Sequence, residues 1–341
     1  MHQRLVIYTQ KSVENLLQHR KGETKFGERI VLLNDKEPVE PQLLKSEAQY
    51  VLFGIPEDIG VVANHGNTGA RHAWEATLKT LLNIQQNTYN KASKLLLLGH
   101  LDFEKEMKML AEIKEPKAFI KTARNVTEKI DEEIVYLVQK IIRSGKKPII
   151  VGGGHNNAYG IIKGCSLALN KPINAVNVDA HTDFRKKEGR HSGNGFSYAF
   201  HEGFLNNYFV FGLHENYTPK SIFKTFKEQK AKLQYNTFEE LMIKQTKKIA
   251  AEINQVNIFI GNRAFGIEVD CDAIQNVPSS AMTPSGFSSN DVRKIVYAFS
   301  KNENAQYLHV CEAAPDPENI IEMTQVGKLI SYIITDFIKK K

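Results

Sequence analysis

Residues 173–183 read Ile173-Asn174-Ala175-Val176-Asn177-Val178-Asp179-Ala180-His181-Thr182-Asp183. A mostly apolar run of strand length ends abruptly in alternating acid and imidazole. A strand that is apolar on both faces belongs in a parallel sheet covered on both sides. Its polar end then lies at the carboxyl edge, where open α/β sheets bind their ligands. Comparable runs occur at Tyr50–Ile55, Leu95–Leu98, Pro148–Val151, Tyr208–Gly212, Val256–Ile260, Ile267–Val269 and Tyr307–Cys311. Between them lie stripes of helical period. Val126, Ile130, Ile134, Leu137, Val138, Ile141 and Ile142 form one, closed by Ser144-Gly145; Val326, Leu329, Ile330, Ile333, Ile334 and Phe337 form another. The expected fold class is α/β, a three-layer α/β/α sandwich with a mostly parallel sheet. Residues 1–49, polar and proline-bearing over much of their length, are expected to form an irregular N-terminal extension packed on the core. Residues 50–341 form one domain.

Composition narrows the class. Of 341 residues, 42% are hydrophobic and 24% charged, which excludes collagen, low-complexity disorder and a disulfide scaffold. Cys165, Cys271 and Cys311 have no metal-type spacing and read as reduced thiols of a cytoplasmic protein. No apolar run approaches the ~18 residues of a membrane span. The stretch MHQRLVIYTQ is too short in apolar residues for a signal core. The net charge of +7 is scattered, with Lys339–Lys341 as its only dense run. That balance suits an anionic metabolite better than nucleic acid or a membrane.

The chemistry collects where the strands end. Pro148–Val151 is followed by Gly152-Gly153-Gly154-His155, and Ile173–Val178 by Asp179-Ala180-His181-Thr182-Asp183. Asp270-Cys271-Asp272 follows Ile267–Val269, and Glu312 follows Tyr307–Cys311. In extended chain, residues i, i+2 and i+4 share a side, so Asp179, His181 and Asp183 can converge, as can Asp270 and Asp272. Four carboxylates packed together repel one another and take up protons unless cations neutralise them. Oxygen ligands with one imidazole per ion suit Mn²⁺, and two such ions sharing a water lower its pKa toward neutrality. The candidate metal ligands are therefore His155, Asp179, His181, Asp183, Asp270 and Asp272. The Gly-Gly-Gly-His turn is not a dinucleotide fingerprint, because Asn157 stands where a third glycine belongs.

These motifs, in this order, resemble the ureohydrolases: arginases, agmatinases and formimidoylglutamases. Gly-Gly-x-His, Asp-Ala-His-x-Asp and Asp-x-Asp carry the likeness. The glycine-rich 60–70 loop, Thr283-Pro284-Ser285-Gly286 and Glu312-Ala313-Ala314-Pro315 extend it over roughly residues 50–340. The resemblance implies two Mn²⁺ per subunit, with His155 and Asp183 on one ion, His181 and Asp272 on the other, and Asp179 and Asp270 bridging. It implies a hydroxide attacking an amidine carbon, Asp183 orienting it and passing a proton to the leaving amine, and Glu312 pairing with the cationic amidine. Trimers or hexamers are also implied.

Three departures bear on the substrate. Glu268 stands where the family pattern has serine, and Gln275-Asn276 replace its Asp-Pro. The histidine that arginases carry after Ser-Gly-Asn is missing after Ser192-Gly193-Asn194, which leaves His191 as the candidate proton shuttle and His214 as a second. The 190–197 segment resembles the loop of formimidoylglutamases more than that of arginases. Arg190, Ser192 and Asn194 are accordingly expected to contact substrate, with Arg185 and Arg263 as further cations. His100-x-Asp102 reads as a structural turn. The reaction expected is N-formimidoyl-L-glutamate plus water to L-glutamate and formamide. Arginase or agmatinase activity, or a metal-binding homologue without turnover, stand as alternatives.

Overall fold

A computed structural model describes residues 4–339; Met1–Gln3 of the N-terminal stretch and Lys340 and Lys341 of the lysine run lie outside them. The described residues form one nine-stranded sheet. In chain order its strands are β1 (Leu5–Ile7), β2 (Tyr50–Gly54), β3 (Leu95–Leu101), β4 (Lys147–Val151), β5 (Ile173–Val178), β6 (Leu205–Leu213), β7 (Leu233–Thr237), β8 (Phe265–Asp270) and β9 (Ala305–Cys311). In space they run β1-β3-β2-β4-β9-β8-β5-β6-β7, all parallel except β1.

Alternate residues along each strand face opposite helical layers, which is why the strands read as continuous apolar runs. Leu52, Leu97, Ile149, Val176, Ile267 and Leu308 pack beneath the helices Ala73–Leu81, Ile249–Ile260, Ser289–Ser300 and Ile320–Ile338. Val51, Leu96, Ile150, Ala175 and Val210 pack beneath Pro116–Arg143, Asn157–Leu169 and Gly195–His201. Burying each Val, Leu or Ile side chain is worth roughly 1.5–3 kcal/mol, so covering both faces of the sheet dominates local preference.

That balance explains one correction. Val256–Ile260, expected as a strand, is the last part of the helix Ile249–Ile260. Ile253, Val256 and Ile260 fall at helical spacing and pack on the core, while Ile258 is exposed. Helix formation at Val and Ile costs only a few tenths of a kcal/mol each, less than the burial returns. Two strands went unread. β7 (Leu-Gln-Tyr-Asn-Thr) is a polar edge strand, and β1 lies within the first 49 residues, where helices Gln10–Glu14 and Val39–Lys45 also form. β1 lies so close to β3 that a Cβ on Gly99, at φ +134°, would sit 1.8 Å from the Val6 carbonyl oxygen. Only glycine admits that approach.

The chain steps outward from β2 to β3 on one side and from β5 through β6 to β7 on the other. Between β2 and β6 lie β4, β9, β8 and β5, so four neighbouring carboxyl ends open into the crevice that such a reversal creates.

Candidate metal centre

The turn after β4 is built from glycine. Gly152 and Gly153 have φ of +92° and +71°, and a Cβ on Gly153 would lie 2.3 Å from Asn157 Nδ2 and 2.7 Å from Glu57 Oε1. Glu57, just beyond β2, is fully buried beneath this turn. Its carboxylate accepts hydrogen bonds from the Gly60 and Gly154 N–H groups and from the Asn156 and Asn157 amides, all at 3.1–3.2 Å. The glycine-rich 60–70 loop and the Gly-Gly-Gly-His turn are thereby clamped together. Glu57 was not singled out from the sequence; its only signal was an acid shortly after an apolar strand, beyond Pro56.

The turn delivers His155, fully buried, into the carboxylates. Its Nδ1 lies 2.8 Å from Asp183 Oδ2, 3.1 Å from Asp270 Oδ2 and 3.3 Å from Asp179 Oδ2. Beside it, His181 Nδ1 lies 2.8 Å from Asp272 Oδ2 and 3.6 Å from Asp179 Oδ1. Asp179 is fixed by the Asn177 amide, donating to Oδ2 at 2.7 Å, and by the His181 N–H, donating to Oδ1 at 2.6 Å. The Asp272 N–H donates to Asp270 Oδ1 at 2.9 Å. Asp183 is held at φ +43°.

This donor set fits a pair of cations. Ligand atoms of His155, Asp179, Asp183 and Asp270 fall within 4.8 Å of one another, as do those of Asp179, His181 and Asp272, so the two groups share Asp179. Both His155 nitrogens, Asp272 Oδ1 and Glu312 Oε2 are buried without a hydrogen-bond partner. Buried polar atoms are rarely left so unless something else satisfies them. The protonation pattern agrees. Burial and the neighbouring Asp179 push the Asp183 carboxyl up to about 6, and burial with Asp272 pushes Asp270 well up. The Asp272 carboxylate raises the His181 imidazolium far above its ordinary range despite burial. Protons here stand where divalent charge would otherwise balance the carboxylates.

The cluster forms one wall of a cavity of about 460 Å³, which Arg185, Ser192 and Glu312 also line. Glu312 follows β9 at φ +61° and is almost fully buried. Its Oε1 accepts the His155 N–H at 2.7 Å, while Oε2 has no partner. Burial pushes its carboxyl up to about 8. In the same lining, Arg185 Nη1 donates to Asn64 Oδ1 at 2.9 Å, and Asn64 Nδ2 donates to Ser192 Oγ at 3.2 Å.

Comparison with protein families matches residues 48–334 to the arginase family. The chain belongs to that family. Among curated arginase-family relatives, it is 26% identical over 296 residues to the formimidoylglutamase of Streptococcus gordonii, covering 83% of this chain and 80% of the relative. It is 28% identical over 188 residues to that of Hahella chejuensis, covering 52% and 51%. Among solved structures, Trypanosoma cruzi formiminoglutamase with Mn²⁺ superposes with a TM-score of 0.72 at 18% identity, covering 92% of this chain and 98% of that one. Bacillus subtilis formimidoylglutamase gives 0.72 at 17% identity, covering 94% and 93%. These likenesses bear out the three-layer fold with its mostly parallel sheet.

Within this arginase-family frame, several expected substrate contacts fall elsewhere. Arg190 does not line the cavity. It is buried, with Nε and Nη2 donating to Asp131 at 2.8 and 3.3 Å and its guanidinium between the rings of Tyr159 and Tyr198. Asn194 is spent on the same network: Oδ1 accepts from Arg190 Nη1 and the His191 N–H, and Nδ2 donates to the Gly189 carbonyl. A bidentate, fully desolvated guanidinium–carboxylate pair explains both corrections, since a charge buried that deeply needs a dedicated partner. Arg263 is exposed just ahead of β8, at the opposite edge of the sheet. His100, expected in a structural turn, lies instead within β3, where it pairs with Val6 of β1; Asp102 follows the strand and accepts the Glu104 N–H. His214 is buried against Phe238 and Tyr217, and Tyr217 reaches the cavity wall.

His191 is also absent from the cavity wall. It is buried, its Nδ1 accepts the Gly193 N–H at 3.1 Å, and its imidazole shapes the 191–194 turn. Burial, with Arg185, Arg124 and Arg190 nearby, lowers its pKa to about 3. A histidine whose folded pKa lies below the unfolded value of ~6.5 contributes stability that is full above pH ~6.5 and drains away as pH falls toward 3. The expected loss reaches about 1.4 kcal/mol per pH unit. His191→Gln should flatten the stability profile between pH 6.5 and 4 in urea titrations; an unchanged slope contradicts this assignment.

Proposed function

We propose that the protein is a binuclear manganese hydrolase of a linear amidine, converting N-formimidoyl-L-glutamate and water to L-glutamate and formamide. The observation that carries the reading is the pair of overlapping ligand groups with orphaned buried nitrogens and oxygens, facing a cavity whose wall holds a carboxylate with one oxygen unpartnered. His155 and Asp183 would hold one ion and His181 and Asp272 the other. Asp179, common to both groups, and Asp270 would serve between them. When bound, such a pair of divalent ions supplies Lewis acidity and a water acidified toward neutral pH.

The chain's own residues supply the rest. Glu312 Oε2 accepts the planar amidinium, a donor fork that suits a carboxylate. A cationic substrate beside it draws its raised pKa down and ionises it on binding. Asp183, on the cavity wall, would pass a proton to the departing amine. Arg185 and Ser192, on the wall with Asn64, suit the carboxylates of formimidoylglutamate, and the named relatives support that substrate over arginine. The same reading makes residues 50–341 the catalytic unit, to which the N-terminal segment adds the edge strand β1, in a cytoplasmic homo-oligomer (a trimer or hexamer).

The test is an assay of Mn²⁺-reconstituted protein on formimidoylglutamate, arginine and agmatine at equal concentration, following glutamate, ornithine and putrescine. Preference for formimidoylglutamate is expected, and preference for arginine or agmatine overturns the substrate. Arg185→Ala should raise KM for formimidoylglutamate roughly 10–100-fold, the worth of one charge-assisted hydrogen bond, with kcat nearly retained. An unaltered KM removes Arg185 from the carboxylate site.

A further inference from the structure

Beneath the ligand row runs a second polar row. Asn177, Glu268 and His309 are register neighbours on β5, β8 and β9, and two residues further on each strand carries Asp179, Asp270 or Cys311. Residues i and i+2 share a face, so one row underlies the other. Asn177, Glu268 and His309 are all fully buried. A carboxylate at that depth is costly unless each oxygen is answered. Glu268 Oε1 accepts the Tyr307 hydroxyl at 2.7 Å, and Oε2 lies 2.6 Å from His309 Nδ1. The same Oε2 stands 3.5 Å from His155 Nε2, a buried nitrogen with no hydrogen-bond partner.

We infer that Glu268 is a positioning residue for the proposed metal centre: anchored by His309 and Tyr307, its carboxylate faces His155 Nε2–H and leaves Nδ1 bare toward Asp179, Asp183 and Asp270. A neutral imidazole carries one proton, and the acceptor behind one nitrogen decides which nitrogen presents a lone pair to a metal. The carboxylate also makes the imidazole a stronger donor. Serine, which the arginase pattern has at this place, brings no charge to that position. The departure at Glu268 and the histidine opposite it thus belong together, the buried His309 answering a charge that serine does not bring.

The inference rests on the metal centre proposed above, and one titration separates their failures. Mn²⁺ is titrated calorimetrically into metal-free wild type and Glu268→Gln, with thermal melts of both metal-free proteins. Absence of Mn²⁺ binding by wild type overturns the centre itself. With wild type binding, Glu268→Gln is expected to weaken the ion held by His155 about 10–100-fold, the usual cost of losing an outer partner. The ion held by His181 and Asp272 should change far less. A purely structural Glu268–His309 pair predicts a lower melting temperature with unaltered Mn²⁺ affinity, and that outcome overturns the inference. Should Glu268→Gln fail to fold, ¹⁵N-histidine spectra of Zn²⁺-loaded wild type decide. A proton on His155 Nε2 with metal on Nδ1 is expected, and the reverse tautomer overturns it.

Discussion

Asp270→Ala is expected to lose Mn²⁺ affinity by more than the 10–100-fold typical of outer partners, and turnover with it, while the fold persists. Asp270 Oδ2 is one of the three carboxylate oxygens that converge on His155 Nδ1, and its Oδ1 also holds the Asp272 N–H. Its removal therefore disturbs both ligand groups. The sign of the stability effect distinguishes a ligand from a structural carboxylate. Burial and its neighbours Asp272 and Asp179 push the Asp270 carboxyl well up, so the metal-free fold gains little from its charge. Deleting it should leave the metal-free melting temperature unchanged or higher, whereas Mn²⁺, which stabilises wild type by binding only the folded state, should no longer raise it. Metal content by elemental analysis, with melts in the presence and absence of Mn²⁺, checks both parts. Retained metal and activity would remove Asp270 from the centre.

The second large effect is at Glu312. Glu312→Gln keeps an oxygen to accept the His155 N–H, now received at 2.7 Å, so the turn and the proposed metal ligands should stay in place. What changes is the unpartnered Oε2 on the cavity wall, whose place an amide NH₂ donor takes, facing a cation. Loss of one preorganised charged partner of the reacting group costs on the order of 10²–10³ in rate. The expected variant therefore binds two Mn²⁺ as wild type does and has kcat/KM lowered by about that factor. Wild-type kinetics would place Glu312 outside the substrate site, as a clamp on the turn only.

The residues proposed as ligands were legible because strand geometry is periodic. Once Ile173–Val178 was read as a buried strand, Asp179, His181 and Asp183 had to leave on one edge, and the neighbouring runs delivered His155, Asp270, Asp272 and Glu312 beside them. Loop residues follow no such rule. Arg190 and Asn194 sat in a segment resembling a substrate loop, yet Asp131 in the middle of the helix Pro116–Arg143 claims the guanidinium. A partner 59 positions away leaves no local mark in the sequence. Val256–Ile260 was misread because a short apolar run has no period of its own, and only its continuation back to Ile249 shows the helical spacing. Glu57 and His309 escaped for a related reason: their roles are set by what lies across the sheet, not along the chain.

The most direct test is anomalous diffraction from crystals of the protein grown with Mn²⁺, recorded near the manganese edge. Two manganese peaks are expected at the carboxyl edge of the sheet, one against His155 Nδ1 and Asp183, the other against His181 Nδ1 and Asp272, with Asp179 touching both. No manganese at these residues, or a single ion that leaves either histidine unliganded, would contradict the binuclear centre.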